Sequence, residues 1–288
     1  MGSVVVTGVS TGIGWGTTKV LIKNGHRVFG SVRKQADADR LQKEFGAKFV
    51  PLIFDVVDPN AVQAGAAVVR EALKGETLMG LVNNAGIAIS GPLLYLPPDE
   101  LRDQMEVNLI GVLNVTQAFA PLLGADTSLK GKPGRIVNIS SVGGKRAFPF
   151  IGPYAASKHA LEGFSEALRR ELMLFGIDVI IIGPGSVKTA IWDKAEQVDT
   201  TRYANTPYGR SIEQFSKFFV EQGRKGGLPP EKLGRVILRA LTTASPKTRY
   251  AVVPNFIQDR VVPALMPKRM LDRIIAGRLG FTPEKKAS

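Results

Sequence analysis

Along the first half of the chain, short apolar runs alternate with longer stretches whose apolar positions recur every three or four residues. Ser3 to Thr7, Arg27 to Val32, Lys48 to Phe54 and Met79 to Val82 are the runs; Gly12 to Asn24, Ala36 to Phe45 and Pro59 to Lys74 have the helical period. A strand with one wet face alternates apolar and polar residues. These runs are too continuous for that, so they read as parallel strands covered by helices on both faces. The rhythm continues with a helical region at Pro98 to Leu123, a strand at Arg135 to Ser140, a helix at Gly152 to Phe175 and a strand at Asp178 to Ile182. A helix at Pro230 to Thr242 and a strand at Tyr250 to Val253 complete it. The pattern predicts an α/β fold: one domain over residues 1–255, built on a doubly wound parallel sheet of about seven strands.

Two stretches break the rhythm. From Val187 to about Gly227 the chain is polar, dotted with aromatic residues and weakly periodic, the pattern of a mobile flap. In the tail, 256–288, prolines interrupt apolar-basic segments such as Val261 to Leu265 and Met270 to Leu279, which read as short amphipathic helices. Such helices either cover a cleft or a subunit contact, or lie on a membrane surface. The sequence leaves both open.

Composition narrows the chemistry. Among 288 residues there is no Cys and only His26 and His159, so neither a disulfide framework nor a thiolate or all-histidine metal site is expected. The net charge is +13, yet Lys and Arg are spread along the whole chain and form no stripe interleaved with aromatics. This reads as a solvated basic surface, with no nucleic-acid partner. Nothing near Met1 resembles a signal peptide, and no stretch reaches the roughly 18 apolar residues of a spanning helix. A cytoplasmic protein is expected, with peripheral membrane contact through the tail left open.

Directly after the first strand, Thr7-Gly8-Val9-Ser10-Thr11-Gly12-Ile13-Gly14 opens the first helix of a βαβ unit. In that position Gly8 permits a tight turn, Gly12 lets the backbone approach a pyrophosphate, and Gly14 permits close helix packing. The helix N-terminus adds free N–H groups and a positive dipole end. Gly8, Ser10, Thr11, Gly12 and Ile13 are therefore candidate contacts for a dinucleotide, and the sheet is of Rossmann type. The second strand ends Ser31-Val32-Arg33-Lys34, where a ribose 2′-hydroxyl would want a carboxylate. Arg33, with its planar fork of donors, and Lys34 suit the 2′-phosphate of NADP(H) instead.

Tyr154 and Lys158 stand one turn apart on the helix that begins at Gly152. An ammonium beside a phenol favours phenolate and should lower the phenol toward the working range. Ser141, at the exit of the strand before, would offer its hydroxyl to the same substrate oxygen.

In order and spacing, the TGxxxGIG turn, Asn83-Asn84-Ala85-Gly86, the Ser141, Tyr154 and Lys158 set and Pro184-Gly185 resemble the short-chain dehydrogenase/reductase family over about residues 3 to 255. The resemblance implies hydride transfer between nicotinamide C4 and a ketone or secondary alcohol, with Tyr154 as general acid/base and Lys158 also binding the ribose. It further implies that Asn83, Ala85 and Gly86 line the cofactor cleft, that Asp55, beside Val56, accepts from the adenine amino group, and that Asn108 kinks its helix and holds a proton-relay water. Ser141 stands at the family's usual separation from Tyr154. In Pro184-Gly185-Ser186-Val187-Lys188-Thr189, Val187 would meet the carboxamide and Thr189 would cover the pyrophosphate. A homodimer or homotetramer is the family's habit.

Substrate contacts are expected from Gly143, Phe148 and Phe150 and from Ile191 and Trp192 in the flap. Their apolar and aromatic character suits a bulky lipophilic small molecule. The Phe29-Gly30-Ser31-Val32-Arg33 segment and long C-terminus resemble the hydroxysteroid and retinol dehydrogenase branch, which implies a steroid-like or retinoid-like one. Reduction of small ketones or carrier-bound 3-oxoacyl chains, or a catalytically idle NADP(H) sensor, are the alternatives.

Overall fold

The computed structural model describes residues 2–188, 201–257 and 262–281. Its seven strands are β1 (Ser3–Val6), β2 (Arg27–Val32), β3 (Phe49–Ile53), β4 (Gly80–Asn83), β5 (Arg135–Ile139), β6 (Asp178–Pro184) and β7 (Arg249–Val252). They form one parallel sheet in the order β3-β2-β1-β4-β5-β6-β7. Successive side chains of β1 go to opposite faces. Val4 and Val6 join one core layer with Leu21, Leu233 and Ile237, while Val5 joins the other with Val62, Val115 and Phe119. A strand whose two faces are both dry must be apolar at every position, as the sequence pattern required.

The helices in chain order are α1 (Gly12–Lys23), α2 (Gln35–Phe45), α3 (Pro59–Leu73), α4 (Pro98–Met105), α5 (Gly111–Phe119), α6 (Gly152–Glu171), α7 (Gly209–Gly226), α8 (Pro230–Thr242), α9 (Val262–Leu265) and α10 (Lys268–Leu279). A π-helical turn at Glu106–Ile110 joins α4 to α5 within the helical region expected at Pro98 to Leu123, and it contains Asn108. The region read as a weakly periodic flap contains, within its described part, the 18-residue helix α7. Its Ile212 and Phe215 are buried in a third apolar cluster with Phe150, Ile151, Tyr203 and Leu279. The tail thus packs on the flap, and the periodicity of each is completed by the other.

Helix packs closely on helix two residues after Gly14. A Cβ on Gly16 would lie 2.6 Å from the Pro230 carbonyl carbon, and one on Gly234 would lie 2.7 Å from the Gly16 oxygen, so α1 and α8 meet backbone to backbone. Gly234→Val should therefore lower stability by about 1–3 kcal/mol, read as a lower urea midpoint at unchanged slope. An unchanged midpoint would mean that the two helices separate freely.

Candidate active site

The turn after β1 is shaped by two glycines in the left-handed region, Gly8 at φ 68° and Gly12 at φ 62°. It is pinned from β4. Asn84 Nδ2 donates to the carbonyls of Thr7 at 2.8 Å and Gly8 at 3.0 Å, while Thr7 Oγ1 accepts from Asn84 N and Ala85 N. Gly14, in the first turn of α1, lets that helix pack closely on this turn as expected, because a Cβ there would stand 2.3 Å from the Gly8 oxygen and 2.6 Å from Asn84 Nδ2. The N-cap residue Thr11 makes no side-chain hydrogen bond to α1, and the first turn, which includes Ile13, carries no acidic residue. Its N–H groups are left for an anion, so the cradle fits a pyrophosphate.

Arg33 is exposed at the end of β2, and its Nη1 lies 3.5 Å from Asp55 Oδ2 at the end of β3. The two polar residues assigned to the adenosine end therefore meet. Lys34 is exposed at the N-cap of α2. Arg40 on α2, which sequence reasoning passed over, donates to the Ser10 carbonyl at 2.8 Å. Thr7, Val56, Asn83 and Ala85 line one small pocket with Val107 and Gly111. Asn83 turns its amide inward to Asn138 at 2.9 Å, and Asn138 continues to Ser165 at 2.9 Å. Asn84, not Asn83, holds the turn.

Asn108 is buried in the π-helical turn and grips the loop after β4 through Ile87 N at 2.9 Å and Ile87 O at 3.0 Å, reaching Ser157 Oγ at 3.1 Å. A Cβ on Gly86 would press on its Oδ1 at 3.1 Å. Gln104, one turn earlier and also missed in the sequence, extends the clamp to Ile89 N at 2.7 Å and Ile87 O at 2.9 Å.

Ser141 follows β5 in extended conformation and shares a hydrogen bond with the Tyr154 hydroxyl; its Oγ also accepts from Gly143 N at 3.0 Å. A Cβ on Gly143 would come within 3.3 Å of both Ser141 Oγ and the Tyr154 ring, so only glycine leaves this space open. Lys158 Nζ lies 5.8 Å from the Tyr154 ring centroid and donates to the Ile139 carbonyl at 2.8 Å. Burial raises the phenol, against the lowering hydrogen bond from Ser141, which is opposite to the direction that spacing alone suggested. The ammonium is aimed at a backbone carbonyl, and burial lowers it to about 8, a fall that Glu162 opposes.

Pro184 ends β6, Gly185 N donates to Val252 O, and Val187 is buried and bridges to Leu228. Thr189, Ile191 and Trp192 lie outside the described residues. Phe148 is half-buried beside the site. Phe150 packs edge-on against Phe215, Phe281 and Tyr208 at centroid distances of 5.6–5.9 Å, with an unusual φ of 65°.

The family model for short chain dehydrogenase matches residues 3–199. Among curated proteins, the chain is 40% identical to an NADPH-dependent 3-dehydrocapnine reductase of Ornithobacterium rhinotracheale, over 94% of each chain. It is 34% identical to a 3-ketodihydrosphingosine reductase of Bacteroides thetaiotaomicron, over 87% of each. It is also 34% identical to human retinol dehydrogenase 5, over 92% of this chain and 89% of that one.

Asn84→Ala would orphan the Thr7 and Gly8 carbonyls. It should cost about 1–3 kcal/mol in denaturant unfolding, and a cost near zero would mean that the turn holds itself.

Proposed function

Because the chain belongs to the short-chain dehydrogenase family, it is an oxidoreductase, and we propose that it is an NADPH-dependent reductase converting the ketone of a long-chain lipid to a secondary alcohol. The observation that carries the reading is the 40% identity, over nearly the whole chain, to a relative named for NADPH-dependent reduction of 3-dehydrocapnine. The relatives reported above share a lipid whose oxygen-bearing carbon changes oxidation state. Two of the three are named reductases of a dehydro or keto compound, which favours a ketone substrate, and a retinoid-like one stays within the same lipid class.

The side chains suit reduction. Bound NADPH supplies the hydride to the carbonyl carbon. Tyr154, raised by burial, keeps its proton at neutral pH and can deliver it to the carbonyl oxygen, while Ser141 holds that oxygen from the other side. Lys158, at about 8, is mainly ammonium at pH 7 and binds the ribose hydroxyls. The cradle of Gly8, Ser10, Thr11, Gly12 and Ile13 takes the pyrophosphate, and Arg33 with Lys34 takes the 2′-phosphate. Leu93 is exposed beside Gly152, two residues before Tyr154, and with the exposed Leu94 next in the chain offers an apolar rim for a long chain.

The same lipid preference extends to the tail. α10 buries Leu279 and exposes Met270 and Ile274 together with Lys268, Arg269, Arg273 and Arg278. This is a surface for anionic headgroups, and cosedimentation with anionic against neutral vesicles tests it. No helix among the described residues is long and apolar enough to cross a membrane. Pairing through α4, α5 and α6 into a homodimer or homotetramer is the proposed assembly, which light scattering decides.

With a long-chain 3-keto amino lipid as substrate, Tyr154→Phe should keep NADPH affinity and lower turnover about 10²- to 10⁴-fold; near-normal turnover would remove Tyr154 as the proton donor. Arg33→Ala should weaken NADPH binding far more than NADH binding. An equal loss for both cofactors would show that the 2′-phosphate is read elsewhere.

A further inference from the structure

One buried charge has no part in the chemistry above. Glu162 lies on α6 one turn beyond Lys158, with 3% of its surface exposed. Its carboxylate accepts from Ser140 Oγ at 2.7 Å and from the Arg249 fork, Nε and Nη2, at 2.9 Å each, and Lys145 Nζ is 3.2 Å away. Arg249 Nη2 also reaches the Ser141 carbonyl at 3.4 Å. Two glycines make room for the cluster. A Cβ on Gly183 would meet the guanidinium at 2.4 Å, and one on Gly144 would meet Ser140 Oγ at 2.6 Å. Glu162 therefore joins β5, the loop after Ser141, α6 and β7 at a single point.

Burying two charges costs desolvation that an apolar pair would not incur, so stability alone is a weak reason for such a cluster. We propose that Glu162, fixed by Arg249 and Ser140, is a positioning residue: its charge holds Lys158 as ammonium, and its hydrogen bonds hold the Ser140–Ser141 strand end against α6. The proposal rests on the reading of Ser141, Tyr154 and Lys158 as the reacting set. Burial lowers the Lys158 ammonium, and the Glu162 carboxylate opposes the fall. Burial pushes Glu162 itself up, but hydrogen bonds from Arg249 and Ser140 outweigh it and keep the carboxyl below its ordinary range, hence charged. The other titratable or charged groups facing the pair are Tyr154, Lys145 and Arg249.

The test uses the whole chain with NADPH as probe, its affinity followed by nicotinamide fluorescence from pH 6 to 10. The unaltered chain should lose affinity above about pH 8, as Lys158 gives up its proton. Glu162→Gln should bind normally at pH 6 and shift that loss downward by about one pH unit, because the opposing negative charge is gone. Lys145→Gln removes an exposed cation that partly neutralises Glu162; it should shift the loss upward, and it carries the test should Glu162→Gln not fold. A loss at the same pH in both variants as in the unaltered chain would overturn the proposal. An unaltered chain that binds no NADPH at any pH would refute the cofactor reading, and the proposal with it.

Discussion

The active-site edge depends on how two strand ends are tied together. β1 and β4 are neighbours in the sheet, yet the sheet order grows outward from them in opposite senses, and at such a switch point the connections diverge and leave a crevice. Past the last ladder bond, the carbonyls of Thr7 and Gly8 need partners. Asn84 supplies both from one amide, and Thr7 Oγ1 accepts from Asn84 N and Ala85 N. This floor sets where the N-terminus of α1 points. It also aligns the neighbouring strand end, since Asn83 is in register with Asn138, three residues before Ser141.

Much of this edge is legible in the sequence because its constraints are local. A strand dry on both faces has to be a continuous apolar run, and a turn that needs left-handed backbone at positions 8 and 12 needs glycine at both. Tyr154 and Lys158 are fixed to each other by one turn of helix. What sequence cannot give is the direction in which a long side chain spends its hydrogen bonds. Asn83 and Asn84 are adjacent and identical, yet strand alternation sends one inward to Asn138 and the other to the turn. Arg40, Gln104 and Arg249 act through partners 15 to 108 positions away, and no local pattern marks them.

The same limit explains the phenol. Spacing alone makes Lys158 the neighbour that should lower Tyr154, but burial acts on both groups and disfavours each charged form. The outcome is a protonated phenol beside an ammonium that burial has weakened. The environment of the pair, rather than its spacing, thus sets which form each group holds.

The substrate side follows a different rule. α7 is hard to read because Gly209, Gly223, Gly226 and Gly227 dilute its period, and its apolar residues Ile212 and Phe215 find their partners in the tail at Leu279 and Phe281. Phe150 packs into the same cluster only four residues before Tyr154, in a left-handed conformation that a bulky side chain adopts at a cost. Tail, flap and the start of α6 are thus one apolar unit laid beside a rigid sheet edge. A change in the tail can reach the approach to Tyr154 through Phe281 and Phe150 without touching the cofactor cradle. Tyr154 itself packs against this cluster, whereas the turn with Gly8 and Gly12 is held from β4, so the two sides of the site rest on different supports.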